Sequence, residues 1–182
     1  MKIYTKVGDK GKTHLFGCCG MVQKDDSRIE AVGALDELNS VIGVSLNFVE
    51  DDIKTHLKKI QNDLFQVGAD LASNADFKVP RIRASHVEEM EHRIDTIFEL
   101  LSEQKEFILP GGTPASSFLH LCRAVARRAE RNLVKASKSI NLNPELLRYV
   151  NRLSDLLFAL ARKANEEVNV KEQHPLYDYF GS

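Results

Sequence analysis

"LPGGTPASSFLHLCRAVARRAERNLV", residues 109–134, is the stretch that decides the fold. It opens with a turn, Pro110-Gly111-Gly112. Thr113 follows, whose hydroxyl can accept from the free N–H groups of a first helical turn, and then Pro114, whose missing N–H costs nothing at the first helical position. Downstream, Leu119, Cys122, Val125, Ala129 and Leu133 recur at intervals of three and four, the period of a helix with one buried face. The segment therefore reads as a capped amphipathic helix. Its polar side is unusual. His120, Arg123, Arg127, Glu130 and Arg131 fall within an arc of about 100° at 3.6 residues per turn, opposite Leu119, Leu121, Cys122, Val125, Ala129 and Leu133. Arg128 points elsewhere and reads as a surface or subunit contact. Three aligned guanidiniums with one carboxylate repel one another unless anions answer them. Such a stripe suits a polyanion such as a phosphate chain, which guanidiniums bind bidentately. The plain structural alternative is an ion-pair network between subunits.

Working outward, the same helical signature repeats. Asn143 and Pro144 reproduce the Thr113-Pro114 device and start another helix that runs to about Asn169. On it Asn151, Asp155 and Arg162 lie within about 40°, opposite Leu153, Leu156, Leu157 and Leu160. These polar residues either meet the arginine stripe across a cleft or form an inter-helix network that fixes register. Before the opening stretch, Ile29, Val32, Leu35, Leu38 and Ile42 mark a helix from Ser27 to about Phe48. Ile53, Leu57, Ile60, Leu64, Val67 and Leu71 mark a second. Val87, Met90, Ile94, Ile97 and Leu101 mark a third, with Ser85 and Glu88 as a capping box. Alternating strand patterns and internal repeats are lacking, so the expected fold class is all-α, a five-helix bundle. Residues 1–26 form an irregular glycine-rich segment, 27–169 the bundle and 170–182 a tail, together one domain.

Composition narrows the function. The 182 residues carry 25 Lys+Arg against 26 Asp+Glu, a formal net charge of -1. That balance does not make the basic surface that nucleic acid requires, and the longest apolar runs are too short to cross a bilayer. "MKIYTKVGDK" has no apolar h-region, so no secretory signal is expected. Three cysteines, with Cys18 and Cys19 adjacent, build no disulfide framework and no metal spacing, which points to a reducing cytoplasm.

The leader "TKVGDKGKTHLFG", residues 5–17, invites comparison with a phosphate-binding P-loop through Gly11-Lys12-Thr13. The comparison fails, because Lys6 stands where the first glycine is needed and no strand precedes it. Gly8 and Gly11 still permit close backbone approach, so the leader can form an anion nest, with Thr5, Lys6, Lys10, Lys12, Thr13 and the more distant Lys24 as donors.

"TKVGDKGKT", "KDDSRIEAVGALDELNS", "FILPGGTPASSFLHLCRAVARRAER" and "NRLSDLLFALAR" resemble, in order and spacing, the PduO-type ATP:cob(I)alamin adenosyltransferases, also called corrinoid adenosyltransferases. The resemblance spans nearly the whole chain. It implies a cobalamin adenosyltransferase-like five-helix bundle that assembles as a homotrimer with active sites between subunits. The implied reaction moves the 5′-deoxyadenosyl group of ATP to the cobalt of reduced cobalamin and releases triphosphate. ATP and cobalamin are then substrates. Mg²⁺ is held mainly by the ATP phosphates near Glu130, with no protein metal ligand assigned.

Carried over position by position, the resemblance makes Thr5, Lys6, Val7, Gly8, Thr13 and Lys24 the triphosphate cradle. Arg127, Glu130, Arg131 and Asn151 become further ATP contacts, with Arg127 and Lys24 in catalytic roles. Arg123 and Asp36 become partners across the subunit interface and beside the corrinoid. Phe107 is the aromatic that helps clear the lower axial face of cobalt, although its sequence context alone reads as ordinary core. Met21 departs from the pattern, standing where many relatives have an arginine. His120 reads as a packing or supporting residue. A reductase and an adenosylcobalamin-dependent client enzyme are partners the resemblance leaves open. Two other readings stand beside it: another ATP-dependent enzyme on a helical bundle, with Asp155 as its base, and a non-catalytic helical interaction module.

Overall fold

The structure is a computed structural model that describes residues 4, 6–17, 20–73 and 77–176. Five helices form among them: α1 (Ser27–Ser45), α2 (Asp51–Ala72), α3 (Ala84–Glu99), α4 (Pro114–Ala136) and α5 (Pro144–Glu166). The chemistry of the two anticipated caps is realised. The Thr113 hydroxyl accepts from the Ser116 N–H at 3.0 Å, and Asn143 Oδ1 accepts from the Glu145 N–H at 3.1 Å. Each satisfies a donor that has no partner inside its helix.

Three boundaries differ from the sequence reading. α1 stops at Ser45 rather than Phe48, in a closing turn where the N–H groups of Asn47 and Phe48 bond to Val44 and Ser45. α3 begins at Ala84, so Ser85 lies inside the helix and the Ser85–Glu88 box does not form; the Arg83 N–H donates instead to His86 Nδ1 at 3.2 Å. α5 ends at Glu166, and Asn169 turns the chain away at φ 57.

α4 packs against both α5 and α1, α3 lies on α5, and α2 lies on α1. Leu38, Ile42, Leu57, Leu119, Leu133, Leu153 and Leu157 are fully enclosed at the centre of one continuous core. One residue of the expected apolar stripe is outside it. Leu121 is 48% exposed, because it sits at the flank of a face already filled by Leu119, Cys122 and Val125.

The leader is more ordered than an irregular loop. Val7–Lys10 makes a single 3-10 turn, and β1 (Lys12–His14) pairs antiparallel with β2 (Met21–Gln23), Thr13 opposite Val22. Strands of three residues are too short to show alternation, which is why the sequence read as loop. Gly11-Lys12-Thr13 enters this hairpin and not a helix N-terminus, so the P-loop comparison fails in the structure as well. Thr5, Cys18, Cys19 and the end of the tail, residues 177–182, lie outside the described residues.

Candidate active site

The polar face of α4 opens on a cavity of about 540 Å³ walled by α3, α5 and the loop joining α3 to α4. Arg123 and Arg127 reach it from α4, Asp155 and Phe158 from α5, and Phe107 from the loop. Among the described residues, no carboxylate lies within ion-pair distance of Arg123, Arg127 or Arg131. Glu130, which could have answered one of them, accepts instead from Asn151 Nδ2 at 2.7 Å. Asp155 is held by Arg152 Nη1 at 2.6 Å, and Arg152 also reaches Glu91 at 3.1 Å. The stripe therefore keeps its positive charge unspent.

Burial sharpens this. The Arg123 guanidinium stands 6.0 Å from the Phe158 ring, and its Nε has no hydrogen-bond partner among the described residues. Burial, and then the neighbouring Arg127, hold its pKa below the ordinary value. Beside it His120 is only 3% exposed, and neither ring nitrogen has a partner. Burial first and Arg123 second hold that imidazole below its usual pKa, with Glu172 opposing. The ring is set against Phe158 at a centroid distance of 6.0 Å. His120 and Arg123 Nε thus give this wall of the cavity polar atoms that no described residue engages.

Phe107 overturns its sequence context. It is 76% exposed and stands at the cavity rim with Ile108 and Pro110. Sequence reasoning missed Phe158, Phe98 and Arg152 as cavity residues. Phe158 in "DLLFALAR" carries no signal that separates it from core leucines until α5 is placed against α4.

The leader residues gather elsewhere. Lys24 Nζ lies 3.2 Å from where a Cβ on Gly8 would stand, and the Lys24 N–H bonds to the Gly11 carbonyl at 2.9 Å. Gly8 and Lys24 are thus brought together. Lys6 holds a left-handed φ of 61, and Val7 starts the 3-10 turn. Thr13 and Asp36 line a second groove of about 580 Å³ between α1 and α2, floored by Leu35 and Leu64. No described residue lines both this groove and the arginine cavity. Arg123 and Asp36 do not pair within one chain. Arg128, read as a surface or subunit contact, closes on Glu37 of its own chain at 2.5 Å, both half-exposed.

Comparison with known proteins identifies the arrangement. Residues 3–164 match the family profile described as cobalamin adenosyltransferase. A corrinoid adenosyltransferase of Bacillus subtilis (strain 168) is 44% identical over 170 residues, covering 91% of this chain and 87% of that protein. Two solved structures from Lactobacillus reuteri share the fold at 37% identity. One, an arginine-to-lysine variant of a PduO-type ATP:corrinoid adenosyltransferase complexed with ATP, superposes with a TM-score of 0.90 over 96% of this chain and 100% of that one. The other, a phenylalanine-to-histidine variant complexed with cobalamin and ATP, gives 0.91 over 98% and 97%. On this profile match and these relatives, the chain belongs to the cobalamin adenosyltransferase family.

Proposed function

We propose that this protein transfers the 5′-deoxyadenosyl group of ATP to the cobalt of a reduced corrinoid and releases triphosphate. The observation that carries the proposal is the unanswered charge of Arg123 and Arg127 at a cavity with aromatic walls, with Arg131 one turn further along the same helix face. A phosphate chain answers the charge of Arg127 and Arg131, and the rings of Phe107 and Phe158 suit the face of a large macrocycle.

The chemistry asks little nucleophilic help of the protein. Reduced cobalt supplies the electron pair, the C5′–O bond of ATP breaks, and the pair in that bond leaves with triphosphate. Charge grows on the leaving oxygens, and fixed guanidiniums placed there stabilise it without reorganising. Arg127 and Arg131 take this role, with Lys24 and the backbone of Lys6, Val7, Gly8 and Thr13 cradling the rest of the chain. Glu130 and Asn151, the further ATP contacts, form one hydrogen-bonded unit that holds the carboxylate on Asn151 and leaves the arginines to the phosphates. Phe107 excludes a lower axial ligand from cobalt, and the remaining contribution is alignment of C5′ with the metal.

Assembly is part of the proposal. The leader nest and the arginine cavity are separate within one chain, so a neighbouring copy completes the site, with Asp36 of one chain meeting Arg123 of another. The assembly proposed is a homotrimer with three such interfaces. Mg²⁺ is proposed to travel with the ATP phosphates, near Glu130. No helix of the described chain is long and apolar enough to cross a membrane. A reductase that supplies the electron and a client enzyme that takes the product are the partners this chemistry calls for.

Product analysis tests the reading. Triphosphate released only with reduced corrinoid supports it. ADP formed without corrinoid would favour a kinase-like enzyme, and no ATP binding would favour an interaction module.

A further inference from the structure

Arg162 is 2% exposed, and a buried charge needs partners. Neither of its hydrogen-bond partners lies on a helix. Its Nε donates to Glu172 Oε1 at 2.8 Å, in the segment that follows α5. Its Nη2 donates to the Ser102 carbonyl at 2.9 Å, where the α3–α4 loop begins, and its Cζ lies 5.8 Å from the Phe98 ring. One guanidinium thus ties the end of α3, the start of the loop and the tail together.

The tail then runs beside the loop. The Leu109 N–H donates to the Gln173 carbonyl at 2.7 Å, and His174 Nδ1 donates to the Phe107 carbonyl at 2.9 Å. At the far end of the loop Asn165, three residues after Arg162, accepts from the Thr113 N–H at 2.9 Å and donates to the Gly111 carbonyl at 3.1 Å. Gly112 sits at φ 101, where an added Cβ would strike the Asn165 side chain. α5 therefore pins both ends of the loop, and the tail holds its middle. Phe107 has no enclosed contact of its own, being mostly exposed, so its ring stands only where this backbone puts it.

We propose that Arg162 and Glu172 are positioning residues for the cobalt chemistry: their ion pair locks the tail against the α3–α4 loop and so sets Phe107 over the cavity. This rests on the role given to Phe107 above. The competing account is an ion pair that only braces α5. Bracing would affect every property alike, whereas positioning affects the step in which the lower ligand is excluded.

The test uses the full chain with Glu172→Ala, Glu172→Gln and His174→Ala. Three quantities are compared: ATP affinity, the rate from chemically pre-reduced cob(I)alamin, and the rate from cob(II)alamin with a one-electron reductant. Positioning predicts that Glu172→Ala loses about tenfold in the cob(II)alamin rate, while the cob(I)alamin rate and ATP affinity change less than about threefold. Glu172→Gln, which keeps an acceptor for Arg162, recovers most of the loss. The electron paramagnetic resonance spectrum of bound cob(II)alamin with ATP shifts toward the form that keeps its lower nitrogen ligand. His174→Ala, at an exposed position that does not threaten folding, gives a smaller split in the same direction. Equal losses in both rates, or no change in either, would overturn the proposal. A wild-type protein that forms no cobalt–carbon bond would instead overturn the proposed function.

Discussion

Asn151 and Glu130 join the polar stripes of α5 and α4 through a 2.7 Å hydrogen bond from Nδ2 to Oε1. The bond removes Glu130 from ion-pairing with the arginines on its own helix. Asn151→Ala frees that carboxylate to compete with phosphate. The expected result is ATP affinity weaker by about tenfold, one hydrogen bond to a charged group, with little change in melting temperature because the pair is exposed. Calorimetric titration with ATP checks it, and unchanged affinity would count against this assignment.

Arg127→Ala is expected to cut adenosyl transfer by about a hundred- to a thousandfold, the usual cost of losing one fixed donor to developing charge. The fold should survive, because the side chain faces the cavity and not the core. Turnover near the wild-type rate in a protein of normal circular dichroism would refute the role.

Phe107→Ala tests the cobalt side. The ring is largely exposed, so its loss costs little stability. The rate from cob(II)alamin should fall far more than ATP affinity; parallel losses would reduce Phe107 to a packing residue.

A composite site predicts complementation. Lys24→Glu disables the leader and Arg127→Glu disables the cavity. Each variant alone should be inactive, while co-refolded mixtures should recover a measurable fraction of activity from interfaces with one intact half of each kind. Asp36→Ala and Arg123→Ala should each lower the oligomer mass on light scattering. Mixtures that stay inactive would place the whole site in one chain.

Acid should destabilise the protein in a defined direction. His120 and His56 both sit below the ordinary imidazole value of 6.5, each chiefly through burial, with Arg123 and Arg93 as the second causes. The unfolded chain therefore binds protons that the folded chain refuses. Their contribution to stability is fully present above 6.5 and is lost as pH falls below it. The melting temperature should drop between about pH 7 and about pH 5, and His120→Phe should flatten the profile. A melting temperature that held or rose on acidification would contradict the assignment.

Much of this molecule was legible from local chemistry. Thr113-Pro114 and Asn143-Pro144 announce α4 and α5 because capping is decided within a few residues. The arginine stripe follows from helical period alone. The leader hairpin was not legible, since three-residue strands leave no pattern, and Leu121 was misplaced because a wheel cannot say how wide the buried face is. Phe107 looked like core because burial depends on which helix covers the loop. The Arg162–Glu172 pair links residues across a chain reversal at Asn169, where spacing carries no information. The separation of Thr13 and Asp36 from Arg123 likewise needed coordinates.

The central claim is that the cavity beside Arg127 joins a nucleotide to a reduced cobalt. Its most direct measurement mixes the protein anaerobically with ATP, Mg²⁺ and chemically reduced cob(I)alamin and follows the visible spectrum. The account predicts that the cob(I)alamin bands decay into those of a light-sensitive alkylcobalamin, one triphosphate appearing for each cobalt–carbon bond. Persistence of the cob(I)alamin bands with ATP intact, under conditions where the protein is folded, would contradict it.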